Sequence, residues 1–65
     1  MRDISKNIRE VRLRRGMSQE QLAQALHVTR QTVSNYETGR SRPDVETLTL
    51  LAQVLEADVR ELLYG

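Results

Sequence analysis

The 65-residue sequence contains no cysteine and a single histidine, His27. Disulfide staples are therefore excluded, and a tetrahedral zinc site, which draws on Cys and His, lacks its ligands. No apolar run approaches the ~20 residues that span a bilayer, and no signal-peptide pattern opens the chain. These absences predict a cytoplasmic protein with no membrane segment. There is no alternating strand pattern, no internal repeat and no low-complexity stretch. No catalytic pairing surrounds His27, no phosphate-cradling glycine loop is present, and Lys6 is an isolated amine. An enzyme is not expected, and no metal, cofactor or small-molecule ligand is implied. A chain this short is one domain at most and buries only about 60% of its unfolded surface. Its stability has to come from packing, helix capping or a second copy of the chain.

The net charge of +1 says little about partners, but its distribution says more. Residues 1–43 hold nine Lys/Arg against four Asp/Glu, whereas residues 44–65 hold one against five. A basic end suits a polyanion, although an unevenly charged solvated surface gives the same counts.

What is present is helical grammar. Ile4, Ile8 and Val11 follow one helix face over a segment from about Asp3 to Arg15, with Arg12 continuing the stripe from Ile8 and Gly16 as its stop. Ser18 and Gln21 make a capping box for a second helix, with Met17 and Leu22 as its hydrophobic staple and Leu22, Ala23 and Leu26 as its buried face. Thr29 caps a third helix that ends at Gly39, with Val28 and Val33 as staple. Only His27 and Val28 separate the second helix from the cap of the third, so the two must turn sharply: a helix-turn-helix. After Pro43, Asp44 caps a fourth helix whose expected buried face is Val45, Leu48, Leu51, Ala52 and Leu55. Asp58 and Glu61 box a short fifth helix, with Ala57 and Leu62 as staple. The expected fold is all-α with five helices.

The third helix carries the chemistry. Relative to Arg30, a helical wheel places Ser34, Thr38, Gln31 and Asn35 at about 40°, 80°, 100° and 140°, while Tyr36 and Val33 fall at about 240° and 300°. One arc is wholly polar and holds Arg, Gln and Asn, whose side chains match base edges: Arg pairs with guanine, Gln and Asn with adenine. An ordinary solvent-facing helix is the alternative, but such surfaces favour Glu and Lys, and this arc has neither. Gln19, first in the second helix, sits at a helix N-terminus, which attracts anions. Arg40, Ser41 and Arg42 follow Gly39. With Gln19 and Thr38 they are candidate phosphate contacts, although the loop arginines can equally be solvated.

The run Met17-Ser18-Gln19-Glu20-Gln21-Leu22-Ala23 through Gly39-Arg40-Ser41-Arg42-Pro43 resembles the phage-repressor and Cro-like helix-turn-helix family, also called xenobiotic-response-element type. Thr29-Arg30-Gln31-Thr32-Val33-Ser34, Tyr36-Glu37 and the tail Leu48, Leu51-Ala52, Leu55 and Leu62-Leu63 extend the resemblance over nearly the whole chain. It implies a compact five-helix, lambda-repressor-like domain that binds double-stranded DNA, usually as a two-fold dimer. Arg30, Gln31 and Asn35 match base-contacting positions, with Ser34 on the same face. Gln19 matches a DNA-backbone contact, and Arg12 and Glu37 match an ion pair joining the first and third helices. His27 stands where the family often has a small residue.

The expected function is a sequence-specific transcription regulator, most simply a repressor. The alternative is an antitoxin or restriction-controller protein of the same fold that binds its own promoter, in the antitoxin case together with a toxin. A protein-binding adaptor is disfavoured by the Arg/Gln/Asn arc. Leu50, Val54, Leu63 and Tyr64 remain after the core stripes are assigned; they are either dimer contacts or cover for a small core. Residues 1–65 are expected to form a single domain, either by itself or as the N-terminal module of a longer protein.

Overall fold

The computed structural model describes residues 3–65. Helices α1 (Ile4–Arg14), α2 (Gln19–Leu26), α3 (Arg30–Thr38), α4 (Val45–Val54) and α5 (Val59–Tyr64) follow one another, and the described residues contain no strand. Each helix starts where its caps lie. Asp3, Ser18, Thr29, Asp44 and Asp58 accept hydrogen bonds from the backbone amides of Ser5, Gln21, Thr32, Thr47 and Arg60. Each bond satisfies an amide that the first turn leaves without a helical partner, a contribution of about 1 kcal/mol per cap. Capping boxes close at Ser18–Gln21 and Asp58–Glu61.

Cap bonds also hold all three of these carboxyls below their ordinary range, Asp3 through the side chain and then the backbone amide of Ser5. Asp58 falls to about 2, through the side chain and then the backbone amide of Arg60. Asp44 is lowered chiefly by the Thr47 amide.

The ends are as local. Gly16 and Gly39 take the left-handed conformation, at φ 69° and 81°. His27 and Glu56 take it too, at φ 60° and 53°, despite carrying side chains. His27 thereby closes α2, and its neighbour Val28 donates back to the Ala23 carbonyl. Since Thr29 already caps α3, the turn between α2 and α3 is as short as the sequence spacing requires.

The core gathers Ile4, Ile8 and Val11 of α1, Leu22 and Ala23 of α2, Val33 of α3, Leu48, Leu51 and Ala52 of α4, and Leu55 and Leu62. Helix α1 packs on α3 and α5, and α2 packs on α3 and α4. Two expectations change. Val45 is 81% exposed rather than part of the α4 stripe, because it is the first helical residue after Asp44 and the buried stripe starts at Leu48. Val28 is exposed although Val33 is fully buried, so the left-handed turn at His27 leaves only half of the expected staple inside.

The four apolar residues left over by the core stripes also divide. Val54 and Leu63 are half-buried against the core, whereas Leu50 and Tyr64 are exposed.

Two polar side chains, one buried and one exposed, hold the ends of the fold. Asn7, 2% exposed, lies on the apolar stripe of α1 and donates through Nδ2 to the Leu62 carbonyl, 3.1 Å away. Arg15 donates from Nε to the Leu55 carbonyl and from Nη2 to that of Glu56, at 2.7 and 2.6 Å. It thus caps the C-terminus of α4, where carbonyls lack helical partners.

Candidate nucleic-acid interface

Helix α3 is anchored by one face and displays the other. Val33 and Glu37, one turn apart, are both buried. Arg30, Gln31 and Thr38 on the opposite side are exposed, and Ser34 and Asn35 are half-buried beside them. Tyr36 packs against the core. All four residues expected to read bases therefore share one side of the helix.

Glu37 meets Arg12 of α1 in a two-pronged ion pair. Arg12 Nε donates to Oε2 at 2.6 Å and Nη2 to Oε1 at 3.0 Å. The side chains are 8% and 2% exposed. The third arm of the guanidinium, Nη1, donates to the Met17 carbonyl at 2.7 Å, just ahead of the Ser18 cap. An arginine on an apolar stripe is thus satisfied at three points, and it ties α1 both to α3 and to the start of α2.

Gln19 joins the same cluster, its Nε2 donating to Glu37 Oε1 at 3.1 Å. Among the residues expected at phosphates, Gln19 is half-buried and held from inside, whereas Thr38, Arg40, Ser41 and Arg42 are exposed. The backbone amides of Arg40 and Ser41 donate to the Asn35 carbonyl, which fixes the loop after Gly39 while leaving its side chains outward. Among the described residues, Arg30, Arg40 and Arg42 make no ion pair, so their charge is not offset by a contacting acid. On the displayed face, Gln31 Nε2 donates to Asn35 Oδ1 at 3.0 Å.

An open cleft of about 300 Å³ lies beside this surface, floored by Ile4, Tyr36 and Pro43 and rimmed by Ser41 and Arg42. No cluster of three metal-ligating residues occurs among the described residues, and no described helix is long and apolar enough to cross a membrane.

Sequence reasoning overlooked the Gln19–Glu37 and Gln31–Asn35 bonds. The second had a visible signal, since the two residues are four apart on one helix face and so are neighbours. The first had none short of the tertiary packing of α2 on α3.

Residues 8–62 match the helix-turn-helix family over most of the chain. The chain belongs to the helix-turn-helix family. Among its relatives is the SPbeta prophage-derived HTH-type transcriptional regulator YonR of Bacillus subtilis, 37% identical over 95% of this chain and 57% of that protein. Another is the HTH-type transcriptional activator BcrR of Enterococcus faecalis, 30% identical over 97% of this chain and 31% of that protein. The chain thus spans about a third to just over half of the length of these relatives. Among solved structures, the restriction-modification controller protein C.AhdI from Aeromonas hydrophila superposes with a TM-score of 0.86 at 32% identity, over 92% of this chain and 91% of that one. The resemblance in family and in all-α, five-helix fold is thereby established. These relatives are named as regulators, not as enzymes.

Proposed function

We propose that residues 1–65 act as one DNA-binding domain of a transcription regulator, with α3 seated in the major groove of a specific double-stranded site. One observation carries this reading: Arg30, Gln31, Ser34 and Asn35 stand on one side of a helix whose other side is locked by Val33 and the Glu37–Arg12 pair. A rigidly held helix can align side chains with base edges, and these residue types suit that task. Thr38, Arg40, Ser41 and Arg42 supply phosphate contacts around it, and Gln19 adds one from the start of α2 through the part of its amide that Glu37 does not engage. Selection of bound duplexes from a random library, followed by a salt titration, tests the proposal. The expected result is an enriched motif whose affinity falls with salt by a log–log slope of about −0.9 per phosphate contact. A library that emerges without sequence preference refutes specific recognition.

Repression is the simplest mode, since occupancy of a promoter excludes polymerase without any further contact. The domain works in the cytoplasm, where the DNA is, and as a homodimer. Leu50 and Tyr64, 46% and 59% exposed, are apolar residues outside the core stripes that a second copy would cover; Val54 and Leu63 are already half-buried against the core. A two-fold dimer implies half-sites about 34–36 Å apart or a multiple of this. Sedimentation that finds only monomer at high concentration, with and without DNA, counts against the dimer alone.

The likeness to C.AhdI over nearly its full chain favours a second reading, a controller that binds its own promoter. A restriction-modification operon beside the gene selects that reading, and a toxin gene there selects an antitoxin.

A further inference from the structure

We propose that Gln31 and Asn35 read DNA as one coupled unit, in which Asn35 commits Gln31 to adenine. The inference rests on the placement of α3 in the major groove. A carboxamide offers one acceptor oxygen and two N–H donors, in a plane. Gln31 spends one donor on Asn35 Oδ1, at 3.0 Å. What remains is one acceptor and one donor side by side.

Adenine alone among the bases presents the complement of that edge in the major groove, a donor at N6 beside an acceptor at N7. Guanine presents two acceptors, O6 and N7. An unrestrained glutamine can meet these with both of its N–H groups, but Gln31 with one N–H held cannot, and turning its oxygen toward O6 sets two acceptors against each other. Asn35 thus supplies discrimination at a base it does not itself touch.

Asn35 is specified in return. Gln31 takes one of the two lone pairs of its oxygen and fixes the amide plane, which leaves both Nδ2 donors free; they suit guanine O6 or N7, thymine O4 or adenine N7 and are repelled by the N4 amino group of cytosine. Four residues along a helix advance about 6 Å, and base pairs stack about 3.4 Å apart. The acceptor base therefore lies one or two pairs from the adenine. The Asn35 backbone carbonyl, which anchors the Arg40 and Ser41 amides, is untouched by changes to the side chain.

The test is selection from a random duplex library by the whole chain and by Q31A, N35A and N35D, with a thermal melt of each to show that it is folded. The wild-type motif should contain an adenine favoured over guanine by roughly tenfold or more, and Q31A should identify it by losing that preference. N35A should reduce the adenine-to-guanine ratio at the same position to about threefold or less, as well as relaxing the neighbouring acceptor position. N35D retains an oxygen for Gln31 but no donor. It should keep the adenine preference, shift its own position toward cytosine or adenine, and bind more weakly overall. An adenine-to-guanine ratio unchanged in N35A, or a motif in which Q31A affects no adenine, overturns the coupling while leaving α3 as the recognition helix. Failure of the wild type to enrich any motif instead overturns the DNA-reading proposal beneath it.

Discussion

Arg12 and Glu37, 25 residues apart, face each other through two parallel hydrogen bonds in a site almost closed to water. The pair joins α1 to the last turn of α3. Because Arg12 also holds the Met17 carbonyl and Glu37 also holds Gln19, the cluster fixes how α2 and α3 sit on α1.

Removing one partner strands the other charge. Arg12→Ala or Glu37→Ala should cost about 3–5 kcal/mol, a large share of the ~3–10 kcal/mol expected for a chain of this length. Arg12→Lys should rescue only partly, since an ammonium cannot make the paired contact. The double variant R12M/E37L should be more stable than either single alanine variant, because it leaves no buried charge unpaired. Urea denaturation of the five proteins measures all of these.

Asn7 should tolerate its isostere poorly. Asp in its place would turn a second oxygen toward the Leu62 carbonyl that Nδ2 now contacts. Among the described residues Asn7 Oδ1 is buried without a hydrogen-bond partner, so a negative charge there meets no donor among them. Asn7→Asp should lose about 2 kcal/mol or more at neutral pH. Its carboxyl is pushed up by burial, so the deficit should shrink as the pH falls and the group becomes neutral. Melts at pH 7 and pH 4 check the direction.

His27 closes α2 in the left-handed region, where a Cβ costs roughly 1–2 kcal/mol. Glycine removes that strain but gives back about 0.5–1 kcal/mol in unfolded-state entropy. His27→Gly should therefore be neutral to stabilising, and His27→Val, with a branched Cβ at a positive φ, should be destabilising. Thermal midpoints of the three proteins decide the matter.

Acid should weaken the helix starts. Asp58 titrates at about 2 in the folded chain, below its unfolded value of about 3.9. Such a carboxylate stabilises the fold fully above the unfolded value, and that contribution disappears as the pH falls through the folded one. Asp44 acts in the same direction. Stability should decline from about pH 4 to pH 2, with a smaller decline in Asp58→Asn, whose side chain does not titrate. Denaturation at stepped pH measures the difference.

The residues make plain why some of this architecture was legible in advance. Ser18–Gln21, Thr29, Asp44 and Asp58–Glu61 act within one helical turn, so spacing alone places the helix starts. The Leu48, Leu51, Ala52 and Leu55 face likewise follows from local periodicity. Polar groups satisfied across helices were less accessible. Asn7 interrupts an apolar stripe without announcing that its partner is a carbonyl 55 positions away, and Arg15 looks like one more surface cation. Val45 fits the α4 stripe on a wheel but precedes the point at which that helix meets the core. Gln19 reads from sequence only as a phosphate contact, because the carboxylate that holds it approaches through the packing of α3.

Presentation of the polar face of α3 to the groove is open to direct measurement. Titration of the labelled chain with a selected duplex, followed through its backbone amide resonances, tests this most directly. The largest shifts should fall along α3 from Arg30 to Thr38, at the start of α2 and in the loop carrying Arg40 and Arg42, with smaller shifts elsewhere. Shifts concentrated on α4 and α5, with α3 unmoved at saturation, would contradict it.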